Sequence, residues 1–252
     1  MIYERIPEQN TDHAKSMNLN ILNEVSKSVC KLKISGKETT GFFFSTFNNI
    51  SGLRVPVKML AIFFNPQEKK SFHIGEEIEI ISNDGNLKEA LSLKNIQHKI
   101  TSISTNFNFC VVQFLEENDQ ILNKFNFLDI DSDCGTSNYE NLKKKDVFIL
   151  HYPSSDDLEC SSGKIMEVNK EKDEFFHTLD SDVGSLGSPI LLFPESYENS
   201  KPKVIGVYSS FLKDKEKNKG IFINKFLNEL GINNQQSDCY GRGKKSKILL
   251  YK

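Results

Sequence analysis

The run Asp182-Val183-Gly184-Ser185-Leu186-Gly187-Ser188-Pro189-Ile190-Leu191 constrains this chain more than any other stretch. Gly184 and Gly187 stand three apart, and Ser188-Pro189 lead into apolar residues. Glycine enters the φ > 0 region without steric cost and lets backbone approach closely, so the pattern describes a sharp turn. Proline fixes φ and lacks an N–H, which costs little at the first residue of a strand. A tight turn feeding a buried strand is therefore expected.

The flanking sequence leans the same way. Nineteen Phe supply bulky core material where only 38% of the residues are hydrophobic. Ala, the strongest helix former, is confined to Ala14, Ala61 and Ala90, so β structure is favoured. Val29–Ile34 alternates and ends at Ser35-Gly36, a strand and a turn. Thr39–Ser45, Val55–Phe64, His73–Ile81, Leu93–Ile103 and Phe109–Leu115 continue the series of strands. Residues 124–145 hold Asp129, Asp131, Asp133, Gly135 and a Lys143–Lys145 run, the composition of a linker. Asp146–Tyr152, Ser161–Ile165, Phe175–Thr178 and Val204–Tyr208 read as strands of a second half. Ile223, Phe226, Leu227 and Leu230 at helical spacing, closed by Gly231, predict a short C-terminal helix.

These segments together resemble the trypsin-like serine peptidases. The 182–191 run resembles that family's nucleophile turn, Gly-x-Ser-Gly-(Gly/Ser)-Pro followed by a hydrophobic strand. Gly184, Gly187, Ser188 and Pro189 match it, and Leu186 stands where the nucleophilic serine would. Tyr152-Pro153, Ser161-Ser162-Gly163-Lys164-Ile165 and Val204–Tyr208 are similar to strands of the family's second barrel. In the first half, Gly41-Phe42-Phe43 resembles the opening strand Gly-x-Gly-Phe-Phe, with Thr39 for its first glycine. Pro56-Val57 resembles the segment that runs into the catalytic histidine, which then falls at Phe63. The residue before the Phe109–Leu115 strand, where the family has its aspartate, is Asn108.

The resemblance spans about residues 26 to 230 and implies an all-β fold: two packed antiparallel six-stranded β-barrels with a short C-terminal helix. The expected organisation is an N-terminal extension (1–25), a first barrel (26–123), a linker (124–145), a second barrel with its helix (146–231), and a polar, basic tail (232–252). It also implies that the chemistry is gone. The mechanism needs a hydroxyl to attack, an imidazole to accept its proton and a carboxylate to orient that imidazole. Leu186, Phe63 and Asn108 supply none of these. The turn at Gly184, Ser185 and Gly187 retains the frame of an oxyanion hole, which stabilises charge but cannot attack.

The leading expectation is thus a catalytically inactive homologue that binds a protein or peptide. His177, Val207 and Tyr208 are candidates to line the inter-barrel cleft, and strand addition along Val204–Tyr208 is the expected mode of peptide binding. A second reading is an active peptidase with its nucleophile relocated to Ser185 or Ser188, served by His151 or His177. A third is a structural subunit of a larger assembly. Five Cys without C-x-x-C spacing argue against a zinc site and for reduced thiols. No cofactor or metal is expected. A net charge of −2 gives no general pull toward nucleic acid. Residues 1–20 lack an apolar signal-like core, and no run is long enough to cross a bilayer, so a cytoplasmic location is expected.

Overall fold

The computed structural model describes residues 3–5, 19–34, 36–50, 53–63, 77–82, 88–92, 98–104, 109–114, 122–131, 139–153, 157–182, 184–193, 201–212 and 217–229. In chain order these form β1 (Tyr3–Arg5), α1 (Leu19–Ser26), β2 (Val29–Ile34), β3 (Lys37–Ile50), β4 (Leu53–Phe63), β5 (Glu77–Ile81), β6 (Lys88–Ser92), β7 (His98–Ser104) and β8 (Phe109–Phe114). There follow β9 (Leu128–Ile130), a 3-10 turn (Tyr139–Leu142), β10 (Asp146–His151), β11 (Glu159–Asn169), β12 (Glu174–His177), β13 (Pro189–Leu192), β14 (Lys203–Leu212), β15 (Lys217–Phe222) and α2 (Ile223–Glu229). No helix among the described residues is long and apolar enough to cross a membrane.

Two antiparallel units result. In the first half the strands run in the order β6-β5-β2-β3-β4-β8-β7. In the second half β10, β11, β12, β15, β14 and β13 pair in turn, and β13 returns to β10, closing a six-stranded barrel. β9, inside the stretch expected as a linker, pairs in parallel with both β3 and β14 and stitches the halves together. The expected C-terminal helix is α2. Residues 1–25 contribute β1, parallel to β11, and most of α1. The tail 232–252 lies outside the described residues.

The side-chain period of two sorts the apolar residues into three cores. On β3, Phe43 points into the first barrel beside Leu32, Leu60 and Ile62, while Phe42 and Phe44 point the other way. On β10, Val147 and Ile149 fill the second barrel, and Phe148 and Leu150 face out of it. The outward sets meet in a third cluster between the barrels, with Met59, Ala61 and Phe63 of β4, Val204 and Val207 of β14, and Phe226 of α2. An ordinary solvated strand face would be polar there. Here both faces are apolar because each barrel is the other's cover.

Candidate functional site

The 182–188 turn sits on this seam. Gly184 and Gly187 hold φ of +96° and +88°, which side chains rarely tolerate. Space forbids a side chain as well. A Cβ on Gly184 would come within 2.5 Å of the Tyr152 carbonyl oxygen. One on Gly187 would stand 2.4 Å from the Thr40 carbonyl oxygen and 2.8 Å from the Phe63 Cβ. The sequence pattern is thus a requirement of backbone conformation and of close approach together.

Hydrogen bonds pin the turn from both barrels. Within it, Ser185 N–H donates to Asp182 O (3.0 Å) and Ser188 N–H to Ser185 O (3.1 Å). Gly187 N–H donates to Tyr208 O (3.0 Å), and Tyr208 N–H to Ser188 O (2.9 Å). From the first barrel, Thr39 Oγ1 and Thr40 N–H both donate to Leu186 O, at 2.7 and 3.2 Å. Thr40 Oγ1 donates to Gly184 O (2.9 Å) and accepts from Tyr152 N–H (3.0 Å). Thr39 and Thr40 are therefore the clamp on the turn. The sequence singled out Thr39 only as the residue replacing a glycine, and its role depends on contacts 147 residues away.

Leu186 is half-buried and packs against the inter-barrel cluster to which Phe63 belongs. Phe63 ends β4, is 3% exposed, and meets Phe226 edge-on with ring centres 5.8 Å apart. The structure thus brings the Leu186 and Phe63 side chains to one apolar cluster, while the Thr39 hydroxyl bonds the backbone carbonyls of both, at 2.7 Å to Leu186 O and 3.4 Å to Phe63 O. Asn108 lies outside the described residues; its chain neighbour Phe109 pairs with Phe63 in the β4–β8 ladder.

Ser185 and Ser188 are both fully buried. Ser188 Oγ donates to Ser185 O at 2.6 Å. Ser185 Oγ accepts from Asp182 N–H (2.9 Å) and lies 2.6 Å from His151 Nδ1. His151 ends β10, is itself buried, and stands opposite Glu159 of β11. Sequence separation hid this Ser–His pair as a contact, although both residues were candidates. His177 is distant from either serine in bonding terms. It is 3% exposed, with Phe175 and Tyr208 rings each 5.9 Å away and no hydrogen-bond partner on either nitrogen among the described residues. Burial drives its pKa down to about 3, so it is neutral.

Val207 is fully buried in the inter-barrel cluster. Tyr208 points into the second barrel, where its hydroxyl meets Ser181 Oγ (2.8 Å) and Asn218 Oδ1 (3.1 Å). Burial raises its pKa, and Asp182 adds to the shift against the opposing Ser181 bond. Strand addition along Val204–Tyr208 requires correction. Val204 already pairs with Leu191 and Ile130, Gly206 with Ile190 and Phe222, and Val207 with Pro189 and Ile221. Both edges are used. Beyond Tyr208 the β13 pairing stops, and Ser209–Leu212 keep β15 on one side only among the described residues. Phe211, half exposed, stands on that stretch. No cluster of three or more metal-ligating side chains occurs among the described residues.

No family model matches the chain, and no curated protein matches it. Solved structures do. The active form of the Rv3671c protease from M. tuberculosis aligns with a TM-score of 0.57 at 13% identity, over 94% of this chain and 91% of that one. Deg5 aligns with a TM-score of 0.54 at 15% identity, over 84% and 90%. The serine endoprotease from Yersinia pestis aligns with a TM-score of 0.55 at 10% identity, over 86% and 66%. At these identities the likeness speaks for architecture. With the closed second barrel and the turn on its seam, it establishes that this chain has the trypsin-like serine protease fold.

Proposed function

We propose that this protein is a serine peptidase homologue without peptidase activity, whose double barrel serves as a protein- or peptide-binding module. One observation carries the reading: Leu186 stands in the turn and packs on the same apolar cluster as Phe63, which lies against Gly187. Neither side chain has a lone pair with which to attack a carbonyl or take its proton. Loss of the chemistry leaves the scaffold intact, since a fold and the site grafted on it are separable.

The bound segment in this proposal is extended and lies along Ser209–Leu212, adding a strand on the edge of β14 that no strand among the described residues pairs with there. Phe211, half exposed, offers it an apolar contact. The proposed setting is intracellular, with no cofactor. Selection of displayed random peptides against the purified protein tests this. Recovered peptides should bind, stay intact by mass spectrometry, and lose at least about tenfold in affinity to Phe211→Ala, an apolar contact being worth over 1 kcal/mol. Cleavage of the peptides would overturn the reading.

A second reading, an active peptidase using Ser185, draws on the 2.6 Å contact between Ser185 Oγ and His151 Nδ1. The burial of both residues weighs against it, because a nucleophile must reach its substrate.

A further inference from the structure

The β3–β4 hairpin outruns the strands beside it. Among the described residues, β8 pairs with β4 from Met59 to Phe63, and β9 with β3 at Phe44 and Ser45. Past these the two strands continue as an arm, from Thr46 opposite Val57 to Ile50 opposite Leu53. A two-stranded ribbon is marginal by itself and gains from further strands on its edges. The two edges of this arm differ. β4 carries Pro56 and Lys58, both exposed, with Arg54 nearer the tip. Proline has no N–H to offer, and within a ladder it sits where its nitrogen faces away from the paired strand. Proline and basic residues are devices that keep an edge from pairing. The outer edges of β6 and β7, which pair with no described strand, carry Lys88 and Glu89, and His98 and Lys99. β3 has no such guard: no Asp, Glu, Lys or Arg occurs between Gly41 and Leu53, although 26% of the chain is charged.

The position of Pro56 also sets which way the backbone of β3 points. Pro56 stands opposite Phe47, so that pair is a non-hydrogen-bonded one, and the two kinds of pair alternate along an antiparallel ladder. Asn49 opposite Arg54, two pairs on, is therefore also non-bonded to β4. Its N–H and C=O face the outer edge. We propose that this edge pairs with the same edge of a second copy, antiparallel about a twofold axis at Asn49. There the Asn49 N–H of each copy donates to the Asn49 C=O of the other, the reciprocal pattern of a hydrogen-bonded pair. The occupant follows from charge. Residues near a twofold axis meet their own copies, so a charge there repels itself, whereas a different partner could match a charge of either sign. An edge without charge fits a second copy. The joined arms form a four-stranded sheet, and Phe47, 38% exposed two residues before the axis, supplies apolar area for the partner to cover. The contact uses no residue of the 182–188 turn and is independent of what the seam binds.

Sedimentation velocity on the full chain over a range of concentrations tests the pairing. The native chain should pass from monomer to dimer as its concentration rises. Asn49→Pro deletes the outward N–H without removing a β3–β4 bond. Each dimer then loses two hydrogen bonds, so the dissociation constant should rise about tenfold or more. Asn49→Lys and Asn49→Asp should each stay monomeric where the native chain dimerises, because like charges meet on the axis. Mixed in equal amounts, these two should form a heterodimer, which also excludes misfolding as the cause of either loss. A native chain that is monomeric at every concentration would overturn the proposal. A dimer that both charged variants retain would place the contact on another surface and overturn it equally. A mixture that stays monomeric would refute the pairing of Asn49 with itself.

Discussion

His177 makes the stability of the second barrel depend on acid in a way that can be calculated. It is buried between Phe175 and Tyr208, neither ring nitrogen is hydrogen-bonded among the described residues, and burial lowers its pKa from 6.5 to about 3. The unfolded chain therefore takes up a proton at a pH where the folded chain cannot. With more protons bound in the unfolded state, stability falls as pH falls. The loss begins below 6.5, the unfolded value, and saturates below about 3, the folded one. Each unit of separation corresponds to about 1.4 kcal/mol, so at pH 5 the group has cost about 2 kcal/mol, and the full cost is about 4 to 5 kcal/mol. Since domains of this kind have about 5–15 kcal/mol in all, the effect is large. Urea unfolding at pH 7.5 and 5.0, on the native chain and on His177→Phe, isolates it. The native chain should lose about 2 kcal/mol more than the variant between the two conditions. Equal losses would mean that His177 is hydrated or partnered, and the reasoning from burial would fail.

Gly187→Ala forces a left-handed φ on an L-residue and drives its Cβ into the Thr40 carbonyl oxygen, a backbone atom that cannot swing aside. Denaturant unfolding should show a loss of about 3 kcal/mol or more, with strain and displaced backbone adding. Thr40→Val removes the hydroxyl between Gly184 O and Tyr152 N–H, depriving a part-buried carbonyl and a buried N–H of that partner. It should cost about 2 kcal/mol and raise amide exchange at Tyr152 and across the turn, whereas a cost near zero would rule out the clamp. Phe63→Ala empties a fully packed site against Phe226 and should cost about 3–5 kcal/mol in the same assay.

The architecture was legible in the sequence because its signals are local. Gly184 and Gly187 declare a turn through spacing alone, and the alternation in Val29–Ile34 or Asp146–His151 declares strands. The helix Ile223–Glu229 follows from apolar residues at helical intervals. What escaped depends on residues distant in the chain. Thr39 and Thr40 look like ordinary strand threonines until the turn arrives against them. Ser185 and His151 were separate candidates, and only the return of β13 beside β10 puts them in contact. The edge of Val204–Tyr208 looked open because a sequence does not say which strands flank which. In the structure β13, β15 and β9 use both of its sides. β1 and α1 fell within a stretch with few apolar anchors, where three residues of backbone pairing leave no pattern to read.

The most direct test of the central claim is reaction of the purified protein with a fluorophosphonate probe, beside the Ser185→Ala/Ser188→Ala double variant. Such probes bond covalently to a serine only when a base has activated its hydroxyl. With Leu186 in the turn, Phe63 buried at the end of β4, and both serines buried in hydrogen bonds, neither protein should be labelled. Labelling of the native chain that disappears in the double variant would contradict the account and assign peptidase chemistry to a displaced serine.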